Sequence, residues 1–386
     1  MEWNVPLADL DYGPEEEEAA LRVLRSKWLT MGAESQAFEQ EFAAHHNAAY
    51  ALAVSNATQA LHLACLALEI GPGDEVIVPS LSFVATTNAV LYTGATPVFA
   101  DVIGPQELTI DPREIEARLT PRTKAIIVMH YGGYPCHMPE IMAIAEKHGL
   151  QVIEDAAHSP GAWLAGKALG TWGAIGCFSF FSNKNLSTGE GGMLLTGRAD
   201  LADKLRLLRS HGMTSLTWDR HKGHAYSYDV VTLGYNDRID EIHSALGRVQ
   251  LAKLAHNNAR RAAITRQVWQ ALASTGLALP FQAVSEAQTQ TAAERAYVSA
   301  HHLLPVLLPA GQDRMAFVER VKAAGIQTSL HYPPSHTFTY HRRFAPAGGL
   351  PVTEAIAARE VTLPLYPTMS QTQIDLVIET VRQALA

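Results

Sequence analysis

The sequence predicts an α/β protein: a large domain built on a mostly parallel central sheet flanked by helices, followed by a smaller C-terminal α+β domain. Two observations carry this. Short β-rich runs alternate with amphipathic stretches of helical period through the first 240 residues, and beyond them the alternation gives way to one long helical stretch. With 386 residues, 47% hydrophobic and 18% charged, the chain has ample material for two or three domains and a large core.

Along the chain, Pro14 and Glu15 to Glu18 precede Arg22, Arg25 and Lys27, which puts proline and acids in a first turn and bases in a last one. A first helix follows from that order. Strands are expected at 75–78, 97–101, 125–129, 152–155, 177–181 and 193–196. Helices are expected at 58–68, where Leu61, Ala64, Cys65 and Leu68 form one stripe, and at 139–148. The large domain is assigned to 1–240 and the small one to 241–386, joined by a helix over 239–272. The stretch 282–294, rich in Gln, Ala, Ser and Thr, reads as an exposed loop. A strand at 303–308, a helix at 315–324 stopped by Gly325, and a last helix over 371–385 complete the small domain.

Bulk properties exclude several classes. The longest apolar runs, 125–129 and 303–308, fall far short of the roughly 20 residues that span a bilayer, so no membrane partner is expected. Met1 to Pro6 lack a basic start followed by an apolar stretch, and a cytoplasmic location is expected. Net charge is -8 with dispersed Lys and Arg, which argues against nucleic acid as a partner. Cys65, Cys136 and Cys177 form no pair motif and read as reduced core residues. The 17 histidines, including the pairs His45-His46 and His301-His302, match no metal-ligand spacing; nearly all read as structural or surface residues, and no metal is expected.

The stretch Phe178-Ser179-Phe180-Phe181-Ser182-Asn183-Lys184-Asn185-Leu186-Ser187-Thr188-Gly189-Glu190-Gly191-Gly192 carries the most chemistry. A strand delivers one lysine into a polar, glycine-rich loop, where a lowered pKa and space for a bulky cofactor would make Lys184 a Schiff-base candidate. A solvated lysine in a turn is the plainer reading. Val152-Ile153-Glu154-Asp155 is an apolar strand ending in acids at the sheet edge that binds ligands in open α/β folds. Asp155 suits either a carboxylate beside a protonated ring nitrogen or the cap of the next helix. Ser55-Asn56-Ala57-Thr58 opens a helix whose free N–H groups favour an anion such as phosphate, though the same residues are good caps without one. Phe83 could cover a cofactor ring by stacking, or lie in the core.

These pieces, in this order, resemble the sugar aminotransferases of the DegT/DnrJ/EryC1/StrS family. The clearest matching blocks are Gly71-Pro72-Gly73-Asp74-Glu75-Val76-Ile77-Val78-Pro79, Gly94-Ala95-Thr96-Pro97-Val98-Phe99, Ile153-Glu154-Asp155-Ala156-Ala157-His158, Cys177-Phe178-Ser179-Phe180, Lys184 to Gly192, and Gly234-Tyr235-Asn236-Asp237-Arg238. The resemblance implies fold type I of pyridoxal 5'-phosphate (PLP) enzymes. It implies Lys184 as the cofactor-bearing lysine, Asp155 at the ring nitrogen, Phe83 and His158 against the ring faces, and Ala57, Thr58 and Ser179 on the phosphate. Asn236 looks like the phosphate ligand contributed by a partner subunit, which implies a homodimer with shared active sites. Trp28, Met31 and Gly32, together with His331 and Tyr332, resemble substrate-side segments. Ala57 stands where many members have Gly, Gln59 where Ala is usual, and Asp237 at a commonly aromatic or Ser position.

The implied substrates are a nucleotide-linked keto sugar, a thymidine- or uridine-diphospho 4-keto-6-deoxy hexose, and L-glutamate as amino donor. C-4 amination is preferred over C-3 because Ala245-Leu246-Gly247-Arg248-Val249-Gln250-Leu251 looks more like the C-4 branch. A keto cyclitol such as scyllo-inosose is the alternative. Dehydratases of the family have His in place of the lysine, so Lys184 disfavours that chemistry.

Overall fold

Helix α1 (Pro14–Ser26) begins as its sequence requires, with Pro14 at the first turn and the Glu16 carboxylate receiving the Gly13 N–H at 2.8 Å. It closes on Lys27 in the left-handed conformation. The computed structural model describes residues 3–215, 227–289 and 296–385. Helix α2 (Ala33–His45) follows, unheralded by the sequence because its polar residues dilute the stripe of Phe38 and Phe42.

Seven strands form the central sheet: β1 (Tyr50–Val54), β2 (Glu75–Pro79), β3 (Thr96–Ala100), β4 (Thr123–Met129), β5 (Gln151–Asp155), β6 (Ile175–Ser179) and β7 (Gly192–Thr196). Their order is β1-β7-β6-β5-β4-β2-β3. β7 runs antiparallel to both its neighbours, while the β6-β5-β4-β2-β3 pairs are all parallel. Every residue of β2, β6 and β7 is buried, so these strands show no alternation of apolar and polar residues, and their polar members, Glu75, Ser179 and Thr196, stand at strand ends. β1 escapes the sequence pattern because Ala51 and Ala53 carry no β-branched signal. Helices α3 (Ala57–Ala67), α4 (Val84–Tyr92), α5 (Met138–His148) and α6 (Ala199–Arg209) complete this layer, as an α/β fold with buried parallel strands requires.

Helix α7 (Glu241–Leu272) spans 32 residues and ties the parts together. Its first half packs on α1 and α2, so closely that a Cβ on Gly247 would lie 2.5 Å from Phe38 Cζ. Its second half, with Ile264, Val268, Trp269 and Leu272, enters the C-terminal core. There β8 (Leu304–Leu307) pairs antiparallel with β9 (Glu360–Leu363). Helices α9 (Arg314–Ala323) and α10 (Gln371–Leu385) add Phe317, Val321, Ile374, Val377 and Val381. The same core takes in Val5, Leu81, Met129, Tyr131 and Tyr134 from the N-terminal part.

One expectation is corrected. Residues 282–289, expected as exposed loop, form helix α8 (Gln282–Thr289). Their Gln, Ala and Glu are good helix formers, and composition alone does not separate a short surface helix from a loop. Residues 290–294 of that expected loop lie outside the described residues. No helix among the described residues is long and apolar enough to cross a membrane.

Candidate active site

The site grows from the C-terminal ends of β5 and β6. Val152 and Ile153 are buried in the sheet, and the strand ends on Glu154 and Asp155, both also buried. Glu154 is held by three donors: the Gly170 N–H at 2.7 Å, the Gly173 N–H at 2.8 Å and His130 Nε2 at 3.0 Å. The Cys136 N–H donates to His130 Nδ1, which leaves Nε2 as the ring N–H. Glu154 therefore anchors the turn that leads into β6.

The neighbouring Asp155 points into a cavity. Its Oδ2 accepts from the Thr86 hydroxyl at 2.7 Å and its Oδ1 from the Ala157 N–H at 3.2 Å. Burial pushes this carboxyl above the usual carboxylate range, while the Thr86 and Ala157 hydrogen bonds and the nearby Lys184 and His130 pull it back. Beyond β6 the chain turns, with the Lys184 N–H donating to the Phe181 carbonyl at 2.8 Å, and returns as β7. Part of the Lys184 side chain opens onto the cavity. Its amine nevertheless sits where desolvation brings it down to about 8, against the opposing pull of Asp155. That value leaves an appreciable fraction of free amine near neutrality, as a nucleophile or proton carrier needs.

Three buried histidines surround the lysine. His158 Nδ1 accepts the Gly132 N–H at 3.2 Å, so its Nε2 donates to the Tyr332 hydroxyl at 3.0 Å. Burial and the lysine charge hold His158 and His302 well below the usual histidine range, and bring His331 down to about 4. All three are neutral at ordinary pH, so the lysine faces no fixed cation from them.

The cavity has a volume of about 690 Å³ and is lined by Ala57, Thr58, Phe83, Asp155, His158, Ser179, Lys184, His331 and Tyr332, among others. Nine residues singled out from the sequence thus share one site. Asn236 does not line it; it is exposed beyond α6, where Ser210 and Asn236 form an isolated bridge. Trp28, Met31 and Gly32 do not line it either. Gly32 donates its N–H to Glu241 at 2.7 Å, and Met31 is buried against the Phe38 cluster.

Space and polarity at the cavity suit a phosphorylated aromatic group. At the start of α3 the Asn56 side chain caps only the Gln59 N–H, at 2.9 Å, which leaves the Ala57 and Thr58 N–H groups without an intrahelical partner beside the Ser179 hydroxyl. Asn183 Oδ1 is buried in the lining without a hydrogen-bond partner among the described residues. The glycines of the loop serve differently from the expectation that they open space for a cofactor. None of Gly189, Gly191 and Gly192 lines the cavity; Gly189 has φ +87, and a Cβ on Gly192 would lie 2.7 Å from the Asn56 carbonyl carbon. Gly192 lets β7 approach the anion-binding end of α3.

The DegT/DnrJ/EryC1/StrS aminotransferase family profile matches residues 11–382. The chain belongs to this family. It is a PLP-dependent aminotransferase of fold type I. Among solved structures, the aminotransferase TlmJ from Streptoalloteichus hindustanus is 32% identical with a TM-score of 0.88, covering 99% of this chain and 98% of that one. DesV from S. venezuelae is 35% identical with a TM-score of 0.84, covering 96% and 94%. The putative sugar aminotransferase Spr1654 from Streptococcus pneumoniae, in its PMP form, is 26% identical with a TM-score of 0.89, covering 99% of each chain.

When bound, PLP supplies an electron sink for the carbon next to the reacting amine. The residues of this aminotransferase fit the group, with N–H donors and a hydroxyl for its phosphate, a buried carboxylate and a lysine of lowered pKa. Two further residues of the site were missed in the sequence. Thr86, the donor to Asp155, lies one helical turn after Phe83, and that spacing was its only signal. His302 reaches Lys184 from 118 residues away, and only folding brings the two together.

Proposed function

We propose that this aminotransferase converts a nucleotide-linked keto sugar, a thymidine- or uridine-diphospho 4-keto-6-deoxy hexose, to the amino sugar, with L-glutamate as amino donor. The observation that carries the reading is the cavity itself. Beyond Lys184 and Asp155 it continues past Phe83, Tyr92, Phe181 and Tyr332, and its 690 Å³ exceed the needs of a cofactor alone. Flat aromatic walls suit the faces of a sugar or a base, and the His331 and Tyr332 side chains place polar atoms among them.

In this reading Lys184 carries the cofactor and moves the proton between substrate and cofactor carbons. Asp155, held by Thr86 and Ala157, keeps the ring nitrogen protonated; Phe83 and His158 bracket the ring; Ala57, Thr58 and Ser179 hold its phosphate. Asn236 serves the neighbouring subunit's phosphate in a homodimer with shared active sites. Its position supports this role, because exposed Val230, Val231 and Leu233 flank it with the apolar surface a partner would cover. Trp28, Met31 and Gly32 would then belong to the substrate side of the assembled dimer.

A panel assay tests the substrate class. With L-glutamate, 2-oxoglutarate is expected to form with either nucleotide-linked 4-keto sugar and only weakly with the unlinked keto sugar. Good turnover of scyllo-inosose, with both nucleotide-linked sugars untouched, would replace this reading by the cyclitol one.

A further inference from the structure

A chain of hydrogen bonds runs from the backbone to the catalytic lysine, and each donor and acceptor in it is fixed by the one before. The Pro160 carbonyl can only accept, so the Asn258 Nδ2 that lies 2.9 Å from it donates. Asn258 Oδ1 then accepts from Asn185 Nδ2 at 2.8 Å, and the same Nδ2 donates to the Ala300 carbonyl at 2.7 Å. Asn185 Oδ1 is left as an acceptor, and it receives His302 Nδ1 at 2.9 Å. His302 therefore carries its hydrogen on Nδ1.

A neutral imidazole with a hydrogen on Nδ1 has a lone pair on Nε2, and that atom lies 3.5 Å from Lys184 Nζ. The separation is at the outer limit of a hydrogen bond, and catalytic hydrogen bonds are often long until the site is filled. The ring has little freedom to turn away. Its backbone N–H donates to the Gly132 carbonyl at 2.8 Å, and the His158 ring lies against it at 4.4 Å between centroids.

We infer that His302 is a positioning residue for Lys184, locked as an acceptor by Asn185, Asn258 and the Pro160 carbonyl so that it accepts a hydrogen bond from the lysine amine whenever that amine is not bonded to cofactor. The direction of the whole chain matters. An acceptor favours the protonated lysine formed when it has taken a proton from substrate, and it holds the amine in reach for the return transfer. A histidine of the opposite tautomer would turn a donor toward the lysine and oppose protonation. The other titratable groups facing Lys184 are Asp155, which favours its protonation, and His158 and His331, which burial keeps neutral.

The test uses enzyme loaded with pyridoxamine phosphate, in which Lys184 is not bonded to cofactor. Competitive acetylation across pH 6 to 10 with peptide mapping reads the Lys184 midpoint against an exposed reference such as Lys27. Two amide variants differ in reach: His302→Asn keeps a donor for Asn185 but stops short of Lys184, whereas His302→Gln spans both. The wild-type midpoint is expected near 8. In His302→Asn it should fall by about one pH unit, because protonated lysine loses an acceptor, and His302→Gln should restore it. In a second measurement, on the PLP-loaded enzyme, the single-turnover rate with amino acid should drop roughly tenfold in His302→Asn with KM unchanged, since the residue touches no substrate, and recover in His302→Gln. A wild-type midpoint and rate in His302→Asn would overturn the inference. Equal impairment of the two variants would do so as well, by assigning His302 to packing alone.

Discussion

Replacing Glu154 by Gln tests how the site is braced, and its cost can be worked from the hydrogen bonds. Glu154 Oε2 accepts from Gly170 N–H and His130 Nε2, both buried, and Oε1 from the half-buried Gly173 N–H. A glutamine has one acceptor oxygen. Its best orientation puts that oxygen where Oε2 stands, which keeps two bonds and turns an NH₂ toward the Gly173 N–H. The two kept bonds lose the assistance of a charge, and the half-buried Gly173 N–H loses its acceptor. Against this stands the relief of a buried charge, so the net loss is about 3 kcal/mol. Glu154→Leu strands all three donors and should cost more. Urea unfolding at one fixed protein concentration reads both values. Cofactor affinity should fall along with stability, because Asp155 is the next residue and shares the strand end. The reasoning is refuted if Glu154→Gln loses less than about 1 kcal/mol, or if Glu154→Leu proves the more stable of the two.

Three further outcomes follow from the site. Borohydride reduction of the holoenzyme and peptide mapping should place the label on Lys184, and Lys184→Ala should retain weak cofactor binding without transamination; a label on another lysine would displace the assignment. Asp155→Asn keeps the shape and its two donors' neighbourhood but removes the charge. Two opposite charges at about 4 Å in a protein site are worth about 4 kcal/mol, so turnover should drop roughly a thousandfold while circular dichroism stays unchanged. Near-normal turnover would mean that another group holds the ring nitrogen. Mixing inactive Lys184→Ala with Asn236→Ala should restore part of the activity as subunits exchange, because one of the two sites becomes intact. No recovery despite demonstrated heterodimers would place Asn236 within its own chain's site.

What the sequence by itself determined is what local chemistry writes into it. Proline and acids at the start of α1, the stripe of α3, the apolar runs of β2 and β4 to β7 and the last helix over 371–385 each have a period or a cap that survives in the fold. Lys184, Asp155, Phe83 and the Ala57-Thr58 turn were legible because each lies at the end of such an element, where a sheet edge or helix start gives a polar residue a reason to be. β1 and α2 were illegible, since alanines and scattered polar residues carry no strong period and their burial is set by β7, Phe180 and α7. Only the tertiary structure decided which groups reach the lysine and which hold those groups in place. His302, Tyr332 and Asn258 come from distant segments, and a histidine's tautomer depends on the atom its other nitrogen meets, which no local pattern encodes. The same holds for the lysine's lowered pKa: it comes from burial, which outweighs the opposing charge of Asp155 across the cavity, and both are properties of the packed chain rather than of the loop that bears the lysine.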